Sequence, residues 1–557
     1  MATIDLDFRE IKKELNKDYS IEEFDEMLFN YGLEIDSYNK DTNEIKIEVT
    51  AERVDLLSKE GLLRVLKVYT GVEKQKTYSV KKSNYVLNIK ESVKEVRPHS
   101  VCAVIKNLKL DSDKLKQIIN IQEKLHLTLG RKRTIAAIGI YPMEKITFPI
   151  SFVAKKPEEI LFVPLGESKE MNGRDILKET ETGKEYSYLL ESFDKYPVFM
   201  DSTEQILSMP PIINSKDTGK ITENTKEVFI ECSGSDINRL NQILNIICCV
   251  FSDIGGEIHG VEINYDKAYN IKSKITPMFE EEKRLISLSH INSLIGINID
   301  IDSACALLEK MYYKCKKFGK DKIEVTIPVF RTDVLHEVDI IDDIARAYGY
   351  DNIHFKLPKV FTVGSILPET IKQENIIDIM VQLGFIEVSP LSLSSKKESF
   401  DNFNLKYKKE HAIELGYSKD KQIDIISSSH LSKLFKILKN NQHISYPQNI
   451  FVCNYVIVPD NKEETRAKQK LYLSAMTANS KVSITEMSSV VLSLLNVFGL
   501  HLELKESEKP FYIKGRSADI LINDKIVGHI GEMDPSVIVN FEYSMPVVAF
   551  EIDLTDI

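Results

Sequence analysis

The chain has 557 residues and a mass of 63.7 kDa, enough at about 100–200 residues per domain for several separate cores. Hydrophobic residues at 43% and charged residues at 28% are those of a globular chain in water, and no apolar run reaches the ~20 residues that span a membrane. A net charge of −11 excludes a general electrostatic grip on nucleic acid, so any RNA contact has to be local, and seven cysteines without a CxxC pair read as reduced core residues.

The opening residues, MATIDLDFREIKKELNK, have neither the apolar stretch of a secretory signal nor the Arg/Ser-rich composition of a transit peptide, so a cytoplasmic location is expected. Residues 1–84 read as an α+β domain. Alternation predicts a strand over 46–49, and Leu56, Leu63 and the apolar stretch at 65–68 predict an amphipathic helix that Gly71 can close. Between them Arg53, Asp55 and Glu60 read as a structural ion network at a strand-to-helix turn. The polar run YSVKKSN at 78–84 reads as a linker.

Residues 85–270 mix strands, among them 101–105 and 228–232, with helices over 112–129 and 236–253. Gly130-Arg131-Lys132-Arg133 is a compact basic cluster with two open readings: the cations complement the dipole of the preceding helix, or they meet phosphate. Downstream, YPVFMDSTEQILSMPPIINS packs two turn signals and the Pro210-Pro211 pair into one segment, and FIECSGSD follows from Phe229. On local chemistry alone, Ser208 begins the proline turn and Glu231 ends a strand.

Residues 271–357 form the next domain. It holds a strand and helix over 286–295, a helix striped by Ala304, Leu307, Leu308 and Met311, and an alternating strand, KIEVTIPVF, ending at Pro328. A further helix follows on Val338, Ile341, Ala345 and Tyr348, with Asp333 placed to cap it and Gly349 to end it. Asp339, Asp342 and Asp343 fall at i, i+3 and i+4, with Asp333 one loop away. Four carboxylates in this pattern suit a hard cation such as Mg²⁺, while a dipole-stabilised acidic face with Arg346 paired to Asp343 is the alternative.

The stretch FRTDVLHEVDIIDDIARAYGYDNI resembles the B5-domain signature of phenylalanyl-tRNA synthetase β subunits of the archaeal and eukaryotic cytosolic type. The resemblance implies that Asp333, Asp339, Asp342 and Asp343 occupy Mg²⁺ positions, with Asp342 where the family usually has Glu. It extends to Arg53-x-Asp55-Leu56 and Glu60-Gly61, which resemble the family's N-terminal domain, and to residues 85–270, which resemble its B3/B4 editing domain. There it implies that Ser208, Glu231 and Ser233 line a pocket for tyrosine mistakenly attached to tRNA.

Residues 358–557 read as one larger α/β domain with strands at 450–458, 471–476, 520–526 and 547–554 and helices at 371–383 and 485–498. KGRSADI and VGHIGEMDP resemble the family's catalytic-like module, whereas 410–438 departs from it. No GxxxxGK[ST] or GxGxxG loop occurs, and VVAFEIDL lacks the arginine that triphosphate chemistry calls for. The expectation is therefore an α/β and α+β multidomain chain: a B3/B4-type editing domain, a winged-helix-like B5 domain and a degenerate class II synthetase domain. Its implied role is that of a β subunit in an α₂β₂ phenylalanine–tRNA ligase acting on tRNA(Phe), with Mg²⁺, with ATP bound by the α subunit, and without a membrane partner. The alternative is a non-catalytic RNA-binding or scaffolding protein that keeps the same domain string.

Overall fold

Glu44–Val49 is the middle strand of an antiparallel sheet between Ala2–Asp7 and Glu34–Asn39, and its inward residues Ile45, Ile47 and Val49 are buried as its alternation requires. Helix Ile21–Tyr31 begins on a Ser20–Glu23 capping box, and helix Lys59–Tyr69 begins on Ser58. This is a computed structural model that describes residues 2–420 and 422–557 in two compact units, 1–357 and 358–557. Within the first unit one hydrophobic core runs from Ile4 to Ala347.

Ten strands make the large sheet of the first unit. In hydrogen-bonded order they are Ile213–Asn214, Ile206–Met209, Tyr196–Met200, Ile150–Lys155, Lys81–Ile89, Glu257–Tyr265, His99–Lys106, Val228–Gly234 and Ala136–Pro142, with Lys274–Thr276 paired to Glu257–Tyr265. The polar run at 78–84 is therefore no free linker: Lys81 to Asn84 open a strand, and Tyr78 packs edge-on to Phe279 and Phe330. The sheet curls around a core that includes Phe152, Phe199, Phe229 and Val261, which brings its far ends within side-chain reach. Helix Ile237–Asp253, capped by Asp236, packs on His99–Lys106 and Val228–Gly234.

A small antiparallel sheet, Glu282–Ser287, Lys322–Ile327 and Lys314–Phe318, carries the acidic helix Glu337–Tyr348 beside it. The helix starts four residues after Asp333: His336 is its N-cap, and Asp339 closes the capping box, so Asp333 is not the cap the sequence suggested. Elsewhere in this unit Arg64 Nε lies 2.6 Å from Asp253 Oδ2 with its guanidinium over Phe330, tying helix Lys59–Tyr69 to helix Ile237–Asp253.

The second unit is a seven-stranded sheet in the order Ile386–Glu387, Gln448–Pro459, Ala467–Ala478, Val547–Asp553, Lys525–Met533, Tyr512–Ile522 and Glu503–Glu506. Helices Pro368–Gln382 and Ile484–Val497 join one core, and Leu431–Asn440 and Pro535–Asn540 join another. The single strand expected at 520–526 is instead the meeting of two strands. Asn523 and Asp524, with φ of 50° and 63°, turn the chain between them as a hairpin requires.

Candidate functional site

Glu231 sits in the middle of Val228–Gly234, every residue of which is buried, between Cys102 on one neighbouring strand and Gly139 on the other. Burial pushes its carboxyl up to about 8, against the pull of the nearby Arg97 guanidinium and of the Tyr141 and Ser233 hydroxyls. Oε1 lies 3.3 Å from the Tyr141 hydroxyl, which in turn lies 2.7 Å from Ser208 Oγ. Oε2 is buried without a hydrogen-bond partner. A cavity of about 710 Å³ opens here, walled by Gln122, His126, Arg133, Ile140, Pro211 and Glu231 among others.

Ser233 shares a strand face with Glu231, two residues on. Its Oγ accepts from Arg97 Nε at 3.1 Å and its carbonyl accepts from Arg97 Nη2. Arg97 is buried, and loss of water draws its guanidinium down to about 10 while the charge of Glu231 opposes that fall. Ser208, Glu231 and Ser233 thus belong to one region, but they are joined through Tyr141 and Arg97. Neither of these two stands out in sequence. The available signal is a glycine inside the buried strand AAIGIYP, where a strand glycine marks a close approach. A Cβ on Gly139 would collide with Tyr141 Oη and Glu231 Oε1.

The basic cluster next to the cavity divides. Arg131, Lys132 and Arg133 all have positive φ, and only Arg133 turns inward. Its guanidinium donates to Pro211 O at 3.2 Å and Ile212 O at 3.0 Å, pairs with Glu123 at 3.1 Å and stacks over Tyr186. It therefore fixes the Pro210-Pro211 turn. Burial would raise the Glu123 carboxyl, but His126 and Arg133 outweigh it and bring it to about 2. Arg131 and Lys132 remain exposed.

The four aspartates are not gathered into one ligand set. Arg331 Nη2 donates to Asp333 Oδ2 at 2.7 Å and to Asp343 Oδ2 at 2.8 Å, and the Tyr313 hydroxyl donates to Asp343 at 2.6 Å. Asp339 Oδ2 accepts the amides of Leu335 and His336 at the start of its own helix. Asp342 accepts from Arg346 Nε and the Tyr350 hydroxyl, both at 2.9 Å, so the partner of Arg346 is Asp342 and not Asp343. Among the described residues no three His, Cys, Asp or Glu side chains are grouped to hold a metal ion. This arrangement does not fit a divalent cation: a guanidinium already lies between the two buried carboxylates, and the other two bind backbone or surface groups. At the other turn singled out in sequence, Arg53 and Asp55 form a buried pair at 2.9 Å with Tyr31 beside them, while Glu60, the third member of the expected network, pairs with neither.

Family models match nearly the whole chain. They are the Phe-tRNA synthetase beta subunit B1 domain at 1–72, the B3/4 domain at 81–246, the tRNA synthetase B5 domain at 285–350 and the phenylalanyl tRNA synthetase beta chain CLM domain at 353–554. The phenylalanine–tRNA ligase beta subunit of Pyrococcus horikoshii is 33% identical over 558 residues, covering 100% of this chain and 99% of that protein. That of Archaeoglobus fulgidus is 34% identical over 526 residues, covering 94% and 93%. The crystal structure of an N-terminal fragment of the P. horikoshii β subunit matches 62% of this chain and 100% of its own, with a TM-score of 0.59 and 34% identity. With relatives this similar along their full length, the chain belongs to the phenylalanine–tRNA ligase beta subunit family.

Proposed function

We propose that the chain pairs with an α subunit in an α₂β₂ assembly in the cytoplasm, which attaches phenylalanine to tRNA(Phe) with ATP bound by the α subunit, and that residues 85–270 hydrolyse mischarged tyrosyl-tRNA. The other domains in this reading are 1–84, 271–357 and 358–557. The last is a structural copy of a class II synthetase core. Its strand Val547–Asp553 carries Glu551 and Asp553 and no arginine. Glu551 Oε2 accepts from Ser429 Oγ and the His430 amide at 3.0 Å and from Ser474 Oγ at 2.6 Å. An anionic strand of this kind cannot stabilise the charge that develops on a departing pyrophosphate, so synthesis falls to the α subunit.

The observation that carries the editing reading is the unpartnered Oε2 of Glu231 at a cavity wall. Tyrosine differs from phenylalanine by one hydroxyl, and an apolar synthetic pocket rejects an added hydroxyl only about 100-fold, so a second site that binds that hydroxyl supplies the rest. Glu231 Oε2 accepts from it. Ser208 and Ser233 do not line the cavity; their hydroxyls meet Tyr141 and Arg97, and they serve the site by holding the groups around Glu231. The Mg²⁺ that the resemblance attaches to the four aspartates has no part in this reading.

The test is Glu231→Ala in the reconstituted complex. Phenylalanylation is expected to stay near parental, and hydrolysis of tyrosyl-tRNA to slow by about tenfold or more, the loss of the hydrogen bond that reads the tyrosine hydroxyl. Unchanged hydrolysis would place the reaction elsewhere in the domain.

A further inference from the structure

We propose that Tyr141 is a positioning residue for this reaction. Its hydroxyl engages Glu231 Oε1 and Ser208 Oγ together, so that Oε2 is left as the free acceptor through which the cavity reads a side-chain hydroxyl. The inference rests on the editing reading of Glu231 and adds to it how the carboxyl is held and which protonation state it takes.

Three features fix Tyr141 in this role. Its ring is fully buried, opposite Phe229 in register and stacked on it with centroids 5.9 Å apart, while Phe148 meets Phe229 edge-on. Gly139, two residues earlier on the same face, stands directly opposite Glu231 and leaves the space in which hydroxyl and carboxyl meet. Ser208 arrives from the far end of the curled sheet, so the contact forms only in the folded domain.

A phenol has one proton to give and accepts in return. With Glu231 neutral, the carboxyl proton fills the 3.3 Å contact and Tyr141 donates to Ser208 at 2.7 Å. With Glu231 ionised, Tyr141 turns its proton to the carboxylate and Ser208 donates to Tyr141. Tyr141 thus favours the ionised form, while Ser208 keeps a hydrogen bond to Tyr141 in both. The other charged or titratable groups facing Glu231 are Arg97 from the loop ahead of His99–Lys106 and Cys102 in that strand. Cys232 is its neighbour along the chain, and helix Ser112–Leu127 brings Glu123 and His126 to the cavity. Burial holds both thiols uncharged, Glu123 and Arg133 balance each other as an ion pair at the cavity, and Arg97 is the charge that acts on Glu231 in every state.

The test follows tyrosyl-tRNA hydrolysis against pH in the reconstituted complex, after subtraction of uncatalysed deacylation, for the parent, Tyr141→Phe, Ser208→Ala and Glu231→Ala. Phenylalanylation serves as the folding control. In Tyr141→Phe, which keeps the ring, kcat/KM is expected to fall about tenfold near neutral pH and the rising limb of the profile to move to higher pH. Ser208→Ala removes a hydrogen bond that Tyr141 makes in both states, so the rate falls while the limb stays near its parental position. A general loosening of the core would not shift the limb in Tyr141→Phe and leave it in place in Ser208→Ala. Hydrolysis lost in Glu231→Ala but parental in rate and pH profile in Tyr141→Phe would overturn this inference alone. Absence of hydrolysis in the parent complex would overturn the editing reading and this inference with it.

Discussion

Tyr141 Oη lies 2.7 Å from Ser208 Oγ, although the strands that carry them, Ala136–Pro142 and Ile206–Met209, stand near opposite ends of the hydrogen-bonded order of one sheet. The sheet has to curl for the two to meet, and the curl places Glu231 beside them without any of the three being near in sequence. Closure leaves little room where they converge, and the room there is the missing side chain of Gly139.

Gly139→Ala is therefore expected to act on both stability and chemistry. The added methyl meets Tyr141 Oη and Glu231 Oε1 in a packed strand, and overpacking of that kind costs about 1–3 kcal/mol. Thermal unfolding of the full chain should shift down, and tyrosyl-tRNA hydrolysis should fall while phenylalanylation by the complex persists. A variant with parental unfolding and parental hydrolysis would show that the strand has slack at this point.

The carboxyl of Glu231 ties stability to pH in a sense opposite to most surface carboxylates. In the folded chain it titrates near 8, against 4.5 for an unperturbed glutamate. Between those values the folded state holds a proton that the unfolded state has lost, so stability declines as pH rises, by up to about 1.4 kcal/mol per unit, and levels off above about 8. Arg97, drawn down to about 10, stays protonated in both states across this window. Glu231→Gln removes the titration. Its unfolding temperature is expected to gain on the parent steadily from pH 5 to pH 8, and two parallel curves would contradict the placement of this carboxyl.

Local patterns in the sequence were enough to find the elements that carry the site. The strand around Glu231 and the helix capped by Asp236 stand out by apolar content and capping chemistry, and both form where expected. What the pattern could not supply is partnership. Spacing places Asp339, Asp342 and Asp343 on one side of a helix, but whether they converge depends on Arg331, whose guanidinium reaches Asp333 and Asp343 only once the strand Lys322–Ile327 and the helix have packed. Tyr141 and Arg97 were invisible for the same reason: each acts across strands that lie far apart in sequence. The hairpin at Asn523 and Asp524 is a different case, because two turn-favouring residues interrupt the apolar run there and a local reading could have found it.

The acidic turn supplies the last test, since its charges are balanced from within. The Arg331 side chain is 3% exposed, and those of Asp333 and Asp343 are 9% and 5% exposed, so both carboxylates are held away from water with the guanidinium between them. Burial would raise Asp333, yet Arg331 keeps its carboxyl below the usual range, and Tyr313 adds a donor to Asp343. A cation entering here would have to displace a charge that is covalently part of the chain and already in hydrogen-bonding geometry. Thermal unfolding of the full chain is thus expected to be indifferent to Mg²⁺ or a chelator. Arg331→Met leaves two buried carboxylates without a counter-charge and is expected to destabilise by about 3–5 kcal/mol. Asp339→Asn, which weakens only the cap on the Leu335 and His336 amides, should cost about 1 kcal/mol and bring no response to the metal. An unfolding temperature that climbs with Mg²⁺ in the parent and loses that climb in Asp339→Asn would show that the four carboxylates rearrange around the ion in solution.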